Sequence, residues 1–178
     1  MADLGHLAQY GSFDEFMASY EPSQAAWTAG SGQPLLMFAL SNRDTDARTA
    51  IATRLLDDGA DVGVTLSDGS NMLHVLLARK THDVEAEVPI LRRLIEGGAD
   101  VNGVAAKFGT PLETAAEMFK FSDETLAPFY DVLLSREDLD LLRESRGRPV
   151  IDNLRSLRAK RAILVEKAET YLRERGLV

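Results

Sequence analysis

The sequence predicts an all-α protein in which about five helix pairs stack in a row, with hairpin-like turns along one edge of the stack. Three observations lead to this prediction: a period of 38–39 residues, a helix–loop–helix–turn pattern within each period, and degenerate copies of that pattern at both ends of the 178-residue chain. A chain that repeats in this way builds its core by stacking each unit on the next.

The repeat is carried by several residue types that keep the same period. An apolar residue follows each Gly-rich turn, an aspartate lies in the turn, and a proline lies at the start of the second helix of a unit. These positions hold Leu35, Leu73, Leu112 and Val150 (apolar), Asp61, Asp100 and Asp138 (turn), and Pro89 and Pro128. Because unrelated residue types share one spacing, coincidence is a poor explanation, and the chain is interpreted as a repeat array.

The second unit illustrates the pattern within one period. Residues 71–79 predict a short apolar helix that opens with a polar cap residue, Asn71. Residues 80–88 are polar and are interpreted as a loop that leads into a second helix near Pro89, since proline suits the first helical turn. Gly97 or Gly98 would end that helix in the left-handed conformation. The following residues predict an extended, hairpin-like connection.

At this point the motifs resemble those of ankyrin repeats. "GTPLETAA" and "DGSNMLHVLL" are similar to the family's "TPLHxAA" helix start, and "LLDDGADV" and "LIEGGADVN" are similar to its "LLxxGADVN" ending. The resemblance is specific over residues 55–116 and weaker in the first and last units. It implies an ankyrin-repeat solenoid, a single domain over residues 1–178. Its parts are an N-terminal cap (1–30), internal repeats (31–68, 69–107 and 108–146) and a C-terminal cap (147–178).

The units depart from the family in two ways. They exceed the usual period of about 33 residues by five or six, and the excess falls between the paired helices. Those lengthened segments either make partner-specific contacts or extend the second helix of each pair. The third unit also lacks the glycine turn, with "SREDLD" where the others have "GADV".

The residues offer little for catalysis or for a cofactor. Cysteine is absent, which excludes disulfides, thiolate metal sites and cysteine nucleophiles. Three histidines lie in different units, without a second ligand at metal spacing. His74 falls where the resemblance implies a histidine that ties neighbouring loops by hydrogen bonds. The turn aspartates are expected to bond their own backbone. We therefore expect no enzyme activity, cofactor or metal; the less favoured alternative is an enzyme with its site in the elongated loops.

Charge and hydropathy restrict the partners and the compartment. No apolar run approaches the ~18–20 residues that a membrane span needs, and no signal segment is recognised, so a soluble cytoplasmic protein is expected. Residues 1–142 carry 10 basic and 23 acidic side chains, which disfavours nucleic acid and favours a protein partner with a basic patch. Residues 143–161 carry 7 basic and 2 acidic side chains. They are interpreted as a solvated end-cap face or, alternatively, as a docking patch for an acidic partner.

The resemblance implies a non-enzymatic module that binds a partner protein through its turn tips and the concave face of its first helices. The predicted contacts are Trp27, Thr65, Ser67, Asp68, Ser70, Arg79, Val104, Ala106, Lys107 and Glu117. Trp27 could instead be buried under the N-terminal cap, and Phe119 and Phe121 could be packing residues or an exposed anchor. The biological role is predicted to be that of an inhibitor or immunity-type protein for a basic toxin or enzyme, or of a general adaptor. A monomer is favoured, with the oligomeric state left open.

Overall fold

In the computed structural model, which describes residues 3–178, ten α-helices form five consecutive pairs. The pairs are α1 (Leu4–Tyr10) with α2 (Phe13–Met17), α3 (Leu35–Leu40) with α4 (Thr45–Asp57), α5 (Met72–Leu77) with α6 (Val84–Glu96), α7 (Pro111–Ala116) with α8 (Asp123–Leu134), and α9 (Val150–Ser156) with α10 (Ala162–Glu174). A short 3-10 helix, Pro22–Gln24, follows α2.

The five helix pairs stack in a row and form two layers. Each first helix contacts the first helix of the next pair (α1, α3, α5, α7 and α9), and each second helix contacts the next second helix (α2, α4, α6, α8 and α10). We call these the first-helix layer and the second-helix layer. One apolar core runs between them from Leu4 to Leu172. The predicted all-α class is confirmed.

Extended backbone occurs in the connections between pairs. The last connection holds a two-stranded antiparallel hairpin, β1 (Glu144–Ser145) and β2 (Arg148–Pro149). The three earlier connections each contain a single bridge of the same kind, which joins Thr28 to Pro34, Thr65 to Asn71, and Ala105 to Gly109. Hairpin-like turns therefore separate successive pairs, as the sequence predicts.

The helix starts correct the predicted register of the repeat by one residue. The N-cap residues of the first helices are Pro34, Asn71, Thr110 and Pro149, which are 37, 39 and 39 residues apart. Leu36, and not Leu35, is therefore the counterpart of Leu73, and Ile151 replaces Val150 in the series. The error arose because both candidates at each site are apolar and buried, so hydropathy could not distinguish them.

The second helices begin earlier than predicted. Helix α6 starts at Val84, so Pro89 is its sixth residue and does not lie in its first turn. The Asp83 carboxylate accepts a hydrogen bond from the Ala86 N–H at 3.1 Å and caps the helix. A polar cap thus outweighs the single hydrogen bond that an internal proline removes. The extra residues of each unit extend the second helix, which was one of the two alternatives.

The turns behave largely as expected. Gly98, with φ 106°, supplies the left-handed residue after α6. Asp61, Asp68 and Asp100 each accept a hydrogen bond from the backbone N–H two residues ahead. In the third unit Asp140 accepts the corresponding bond from the Leu142 N–H, and the turn residue Asp138 pairs with Arg136. The backbone bonds satisfy the turn aspartates locally.

A buried ionic cluster joins the second and third pairs where the lengthened segments meet. Arg48 pairs with Glu87, and the two side chains are 1% and 0% exposed. Arg48 also donates hydrogen bonds to the carbonyl oxygens of Asn42 and Thr81, both at 2.8 Å. His82 approaches the second oxygen of Glu87 through Nδ1. The lengthened segments therefore make contacts between units.

A second set of ties runs through the first helices. His74 Nε2 donates to the Gly109 carbonyl oxygen at 2.9 Å and Nδ1 accepts from the Asn71 N–H at 3.2 Å, as the interpretation of His74 predicts. Burial lowers the pKa of His74 below its ordinary value, so the ring is neutral at neutral pH. Glu113 takes the equivalent place in α7 and accepts hydrogen bonds from Ser145 and Asn153 of the last unit.

Candidate protein-binding groove

A groove with a volume of about 420 Å³ lies where α5 and α7 end, on the first-helix layer. This volume falls in the range of ~300–1,000 Å³ that is typical of ligand pockets. Its apolar lining comprises Leu77, Phe108, Met118, Phe119 and Phe121, and its cations are Arg79, Lys80 and Lys120. We call it the α5–α7 groove.

The groove exists because both first helices are short. Helices α5 and α7 have six residues each, and the chain then leaves the layer. After α7 it turns tightly: the Phe119 N–H donates to the Glu117 carbonyl oxygen at 2.8 Å, and the Phe121 N–H donates to that of Met118 at 3.0 Å. Ser122 then caps α8. This compact turn forms one wall of the groove.

The wall is held from behind by a buried arginine. Arg161, 2% exposed, donates hydrogen bonds to the carbonyl oxygens of Ala116 at 2.7 Å, Met118 at 2.9 Å and Phe121 at 3.1 Å. The Phe121 ring also meets the His82 ring edge-on, with 5.4 Å between centroids. The backbone around Phe119 is therefore fixed from the core side.

Phe119 projects from this fixed turn with 52% of its surface exposed. The Lys160 ammonium lies 4.9 Å from the centroid of its ring, and the Arg161 guanidinium lies 5.5 Å away. A large apolar side chain on a rigid backbone loses little entropy on contact with a partner. Phe119 is thus exposed, whereas Phe121 is half-buried against the core.

The groove cations and the nearby Lys107 are not paired with an anion in the part of the chain that the structure describes. Among residues 3–178, Arg79, Lys80, Lys107 and Lys120 form no ion pair within 4.0 Å. The Arg79 Nε atom is buried without a hydrogen-bond partner in that part of the chain. Burial, and then the like charge of Arg48, lower the pKa of the Arg79 guanidinium below its ordinary value.

One carboxylate lines the groove, and it is already neutralised. Glu117 forms a two-pronged ion pair with Arg146, in which Nη2 lies 3.2 Å from Oε2. Arg146 holds the left-handed conformation, with φ 56°, and its Nη2 also lies 3.5 Å from the Lys107 carbonyl oxygen. The groove is therefore electropositive on a chain whose net charge is −8.

The predicted contact residues divide between this groove and the turn tips. Arg79 and Glu117 line the groove, and Lys107 lies at its rim beside Phe108, with Nζ 5.3 Å from the ring centroid. Four others are exposed at turn tips: Thr65, Ser67, Asp68 and Ala106. The tips are linked, because the Ala106 N–H donates to the Asp68 carbonyl oxygen at 2.9 Å.

Three predicted contacts are less accessible than the sequence suggests. Ser70 is buried, 5% exposed, so its hydroxyl does not lie on the predicted surface. Val104 is half-buried, and its carbonyl oxygen would lie 2.3 Å from a Cβ atom added at Gly69. Trp27 is half-buried against Phe38, with 6.1 Å between ring centroids. The corrected register also makes Thr28, and not Trp27, the counterpart of Thr65.

Sequence reasoning missed Lys80, Phe108 and Lys120 as groove residues. Lys80 and Phe119 are 39 residues apart, so they occupy equivalent places after two successive first helices. Because Phe119 was already a candidate, a search of that repeat position in the preceding unit would have found Lys80, and Lys120 directly follows Phe119. Nothing comparable indicates Phe108, whose place depends on how the turn tip folds back toward α7.

The basic segment 143–161 is largely satisfied within the chain. Arg155 and Arg158 pair with Glu169 at 3.1 and 2.7 Å, Arg146 pairs with Glu117, and Arg161 is buried on carbonyl oxygens. The exposed pairs of Arg155 and Arg158 agree with the end-cap alternative. Arg161 is an exception to the predicted solvated face, because its guanidinium is buried and donates to the carbonyl oxygens of Ala116 and Met118.

Within residues 3–178, no three His, Asp or Glu side chains converge in a way that could hold a metal ion. In the same range, no helix has both the length and the apolar content needed to cross a membrane.

Comparisons with known proteins extend the description of the fold. No protein-family model matches the chain, and no curated protein matches it. A solved structure of a functionally unknown protein from Leptotrichia buccalis C-1013-b is similar, with a TM-score of 0.77 and 19% sequence identity. The match covers 98% of this chain and 95% of that one. At this level of identity, the likeness concerns the fold alone.

Proposed function

We propose that this chain is a non-enzymatic ankyrin-repeat protein that binds another protein through its turn tips and its first-helix layer. The observation that carries the proposal is the α5–α7 groove, where the exposed ring of Phe119 on a rigid wall lies beside cations that form no ion pair within residues 3–178. Buried aromatic and arginine contacts contribute most of the energy in protein interfaces. A groove so lined can gain binding energy without a change in the backbone.

The ankyrin assignment is supported by where the motifs fall in the fold. "TPLETAA" begins at the capping box of Thr110 and Glu113 and forms α7. "GGADVN" begins at the end of α6, with Gly98 left-handed and Asp100 bonded to the turn. Hairpin-like turns follow, and like helices stack on like. These positions of the two motifs are consistent with the proposed assignment.

The biological role that we favour is inhibition or immunity: the chain would neutralise a basic toxin or enzyme. Exposed aspartates along the turns, Asp61, Asp100, Asp138 and Asp140, form an acidic edge that would face a basic patch of the partner. A general adaptor would use the same edge and the same groove. The two roles differ in whether the partner's own activity stops on binding.

Affinity capture tests protein binding directly. The immobilised full chain is exposed to an extract of the source organism, and any captured protein is purified and titrated against it by calorimetry. We expect one saturable partner. The turn-tip variant Ser67→Arg with Ala106→Arg should bind at least about tenfold more weakly, because two bulky cations would then occupy adjacent tips.

The matched control is Thr53→Arg with Ala86→Arg, which adds the same charge to exposed positions of the second-helix layer. It should bind like the unmodified chain. Equal affinity of the two double variants would contradict the proposed surface, and the lack of any saturable partner would contradict the proposed function. Loss of the captured protein's activity on binding would favour an inhibitor over an adaptor.

A further inference from the structure

The charge of the α5–α7 groove is opposite to that of the chain as a whole. Residues 1–142 carry 10 basic and 23 acidic side chains, yet Arg79, Lys80 and Lys120 come together in the groove. Within residues 3–178 none of the three forms an ion pair, since the lining carboxylate, Glu117, pairs with Arg146. Like charges placed close together repel one another, and here a partly buried guanidinium adds the cost of desolvation. A carboxylate supplied from outside would relieve both costs.

The floor of the groove is apolar and favours contact with an apolar side chain. Leu77 and Met118 are buried beneath it, and the rings of Phe108, Phe119 and Phe121 surround it. An apolar side chain of a partner that covers this surface gains roughly 25 cal/mol per Å² removed from water. The volume of about 420 Å³ accommodates a few side chains and not a folded domain.

The two properties together define an occupant. We infer that the α5–α7 groove receives an extended acidic segment of the partner protein, whose carboxylates face Arg79, Lys80 and Lys120 and whose one aromatic or long aliphatic side chain packs against Phe119. The inference rests on the proposed function, since it names which part of a protein partner the groove recognises. The partner would thus carry two recognised features: a basic patch that faces the acidic turn edge, and a separate acidic segment that enters the groove.

Two other classes of ligand could occupy the groove, and the test below distinguishes them from an acidic peptide. A single-stranded nucleic acid would also combine negative charge with rings that stack on Phe119. A second copy of this chain could insert its C-terminal Leu177 and Val178, which are exposed at 48% and 67%. The acidic peptide is favoured because a single strand needs a positively charged track over several nucleotides. The cations of this groove are local, and the exposed turn aspartates Asp68, Asp100 and Asp140 would repel a continuous phosphate backbone.

The test uses defined probes and the full chain. The probe is the synthetic peptide Glu-Glu-Glu-Phe-Glu-Glu-Glu, and its comparisons are the peptide with alanine for phenylalanine, the peptide with lysine for every glutamate, and single-stranded oligothymidylate. NMR chemical-shift changes of backbone amides report where each probe binds and how tightly. We expect the acidic phenylalanine peptide to shift amides in residues 77–80 and 117–121, with at least about tenfold higher affinity than the other probes.

Variants separate groove binding from general attraction. Lys80→Glu with Lys120→Glu should reduce the affinity for the acidic peptide at least about tenfold, because it reverses two charges at the groove. The control Arg92→Glu with Arg143→Glu makes the same change in net charge at exposed sites outside the groove, and it should leave the affinity unchanged. Phe119→Ala should abolish the preference for phenylalanine over alanine in the peptide.

Several outcomes would overturn the inference. These are tighter binding of the lysine peptide or the oligonucleotide, shifts spread outside the groove, equal effects of the two double variants, or groove shifts that grow with protein concentration alone. If capture of a partner succeeds and is lost in the turn-tip variant while no peptide enters the groove, the proposed function stands and the inference fails. If the peptide binds the groove but no protein is captured, the proposed function fails instead.

Discussion

Residues 79–82 contribute to two groups of charged residues that differ in burial and in pairing. Residues 79–80 present cations to the α5–α7 groove, where these cations have no anionic partner within residues 3–178. Two residues later, Thr81 and His82 join the buried cluster of Arg48 and Glu87, where the charges are paired and hydrogen-bonded. The comparison shows that the lengthened segment after α5 both holds neighbouring helix pairs together and supplies side chains to the groove.

Energetic arguments explain the contrast. A buried ion pair is stable only when its members are satisfied together, because each charge alone would bear a large desolvation cost. Groove cations keep part of their hydration and tolerate the lack of a partner at a smaller cost. A residue of the first kind should therefore respond to substitution through stability, and one of the second kind through binding.

The largest expected effect is at Glu87. Glu87→Ala leaves the Arg48 guanidinium buried without its carboxylate, and we expect the free energy of unfolding to fall by about 3–5 kcal/mol. Urea denaturation followed by circular dichroism measures this change. Glu85→Ala, an exposed neighbour on the same helix, should change stability by less than about 0.5 kcal/mol. Similar losses for both variants would remove the distinction between the cluster and the surface.

A smaller effect is expected from a buried group that stays uncharged. Burial lowers the pKa of His74, so the unfolded chain binds more protons than the folded one as the pH falls below the ordinary value of about 6.5. Stability contributed through the neutral ring is therefore present above that pH and lost on acidification. We expect urea midpoints to fall between pH 7 and pH 5, and the fall to be smaller in His74→Gln. An unchanged slope would show that His74 does not carry this dependence.

The smallest effect on stability is expected in the groove. Lys80→Glu with Lys120→Glu removes exposed cations that form no ion pair within the described residues, so the free energy of unfolding should change by no more than about 0.5 kcal/mol. Thermal and urea unfolding measure it beside the peptide titration of the same variant. A loss of several kcal/mol would mean that these lysines support the scaffold, and the comparison would no longer hold.

Much of the fold could be predicted from the sequence, because it depends on signals that recur. The period, the pairing of helices and a cap glycine at position 97 or 98 follow from local residue preferences. The one-residue register error arose from units of unequal length and from adjacent apolar residues, such as Leu35 and Leu36. The late start assigned to α6 arose because Pro89 is a more visible signal than the Asp83 cap.

The candidate site could be predicted only in part. Arg79, Lys107 and Glu117 were identified through their place in the repeat, and Phe119 was recognised as one of two alternatives. The groove itself depends on how residues from two units converge, which no local pattern determines. Arg161 shows the same limit: it belongs to a basic run, yet its side chain is buried and donates to carbonyl oxygens at the end of α7 and in the turn that follows, 40 to 45 residues away.

The ionic contact between α4 and α6 has a consequence for the order of the units. Arg48 and Glu87 are each the fourth residue of their helix, and the corresponding residues of α8 and α10 are Leu126 and Val165. If the repeat 69–107 were duplicated in tandem, two copies of Glu87 would face each other in the core. If the repeats 31–68 and 69–107 were exchanged, Arg48 would lie against Leu126 of α8. The repeats share one shape, but they are not interchangeable. The charged residues buried where two repeats meet determine the order in which the repeats can stack.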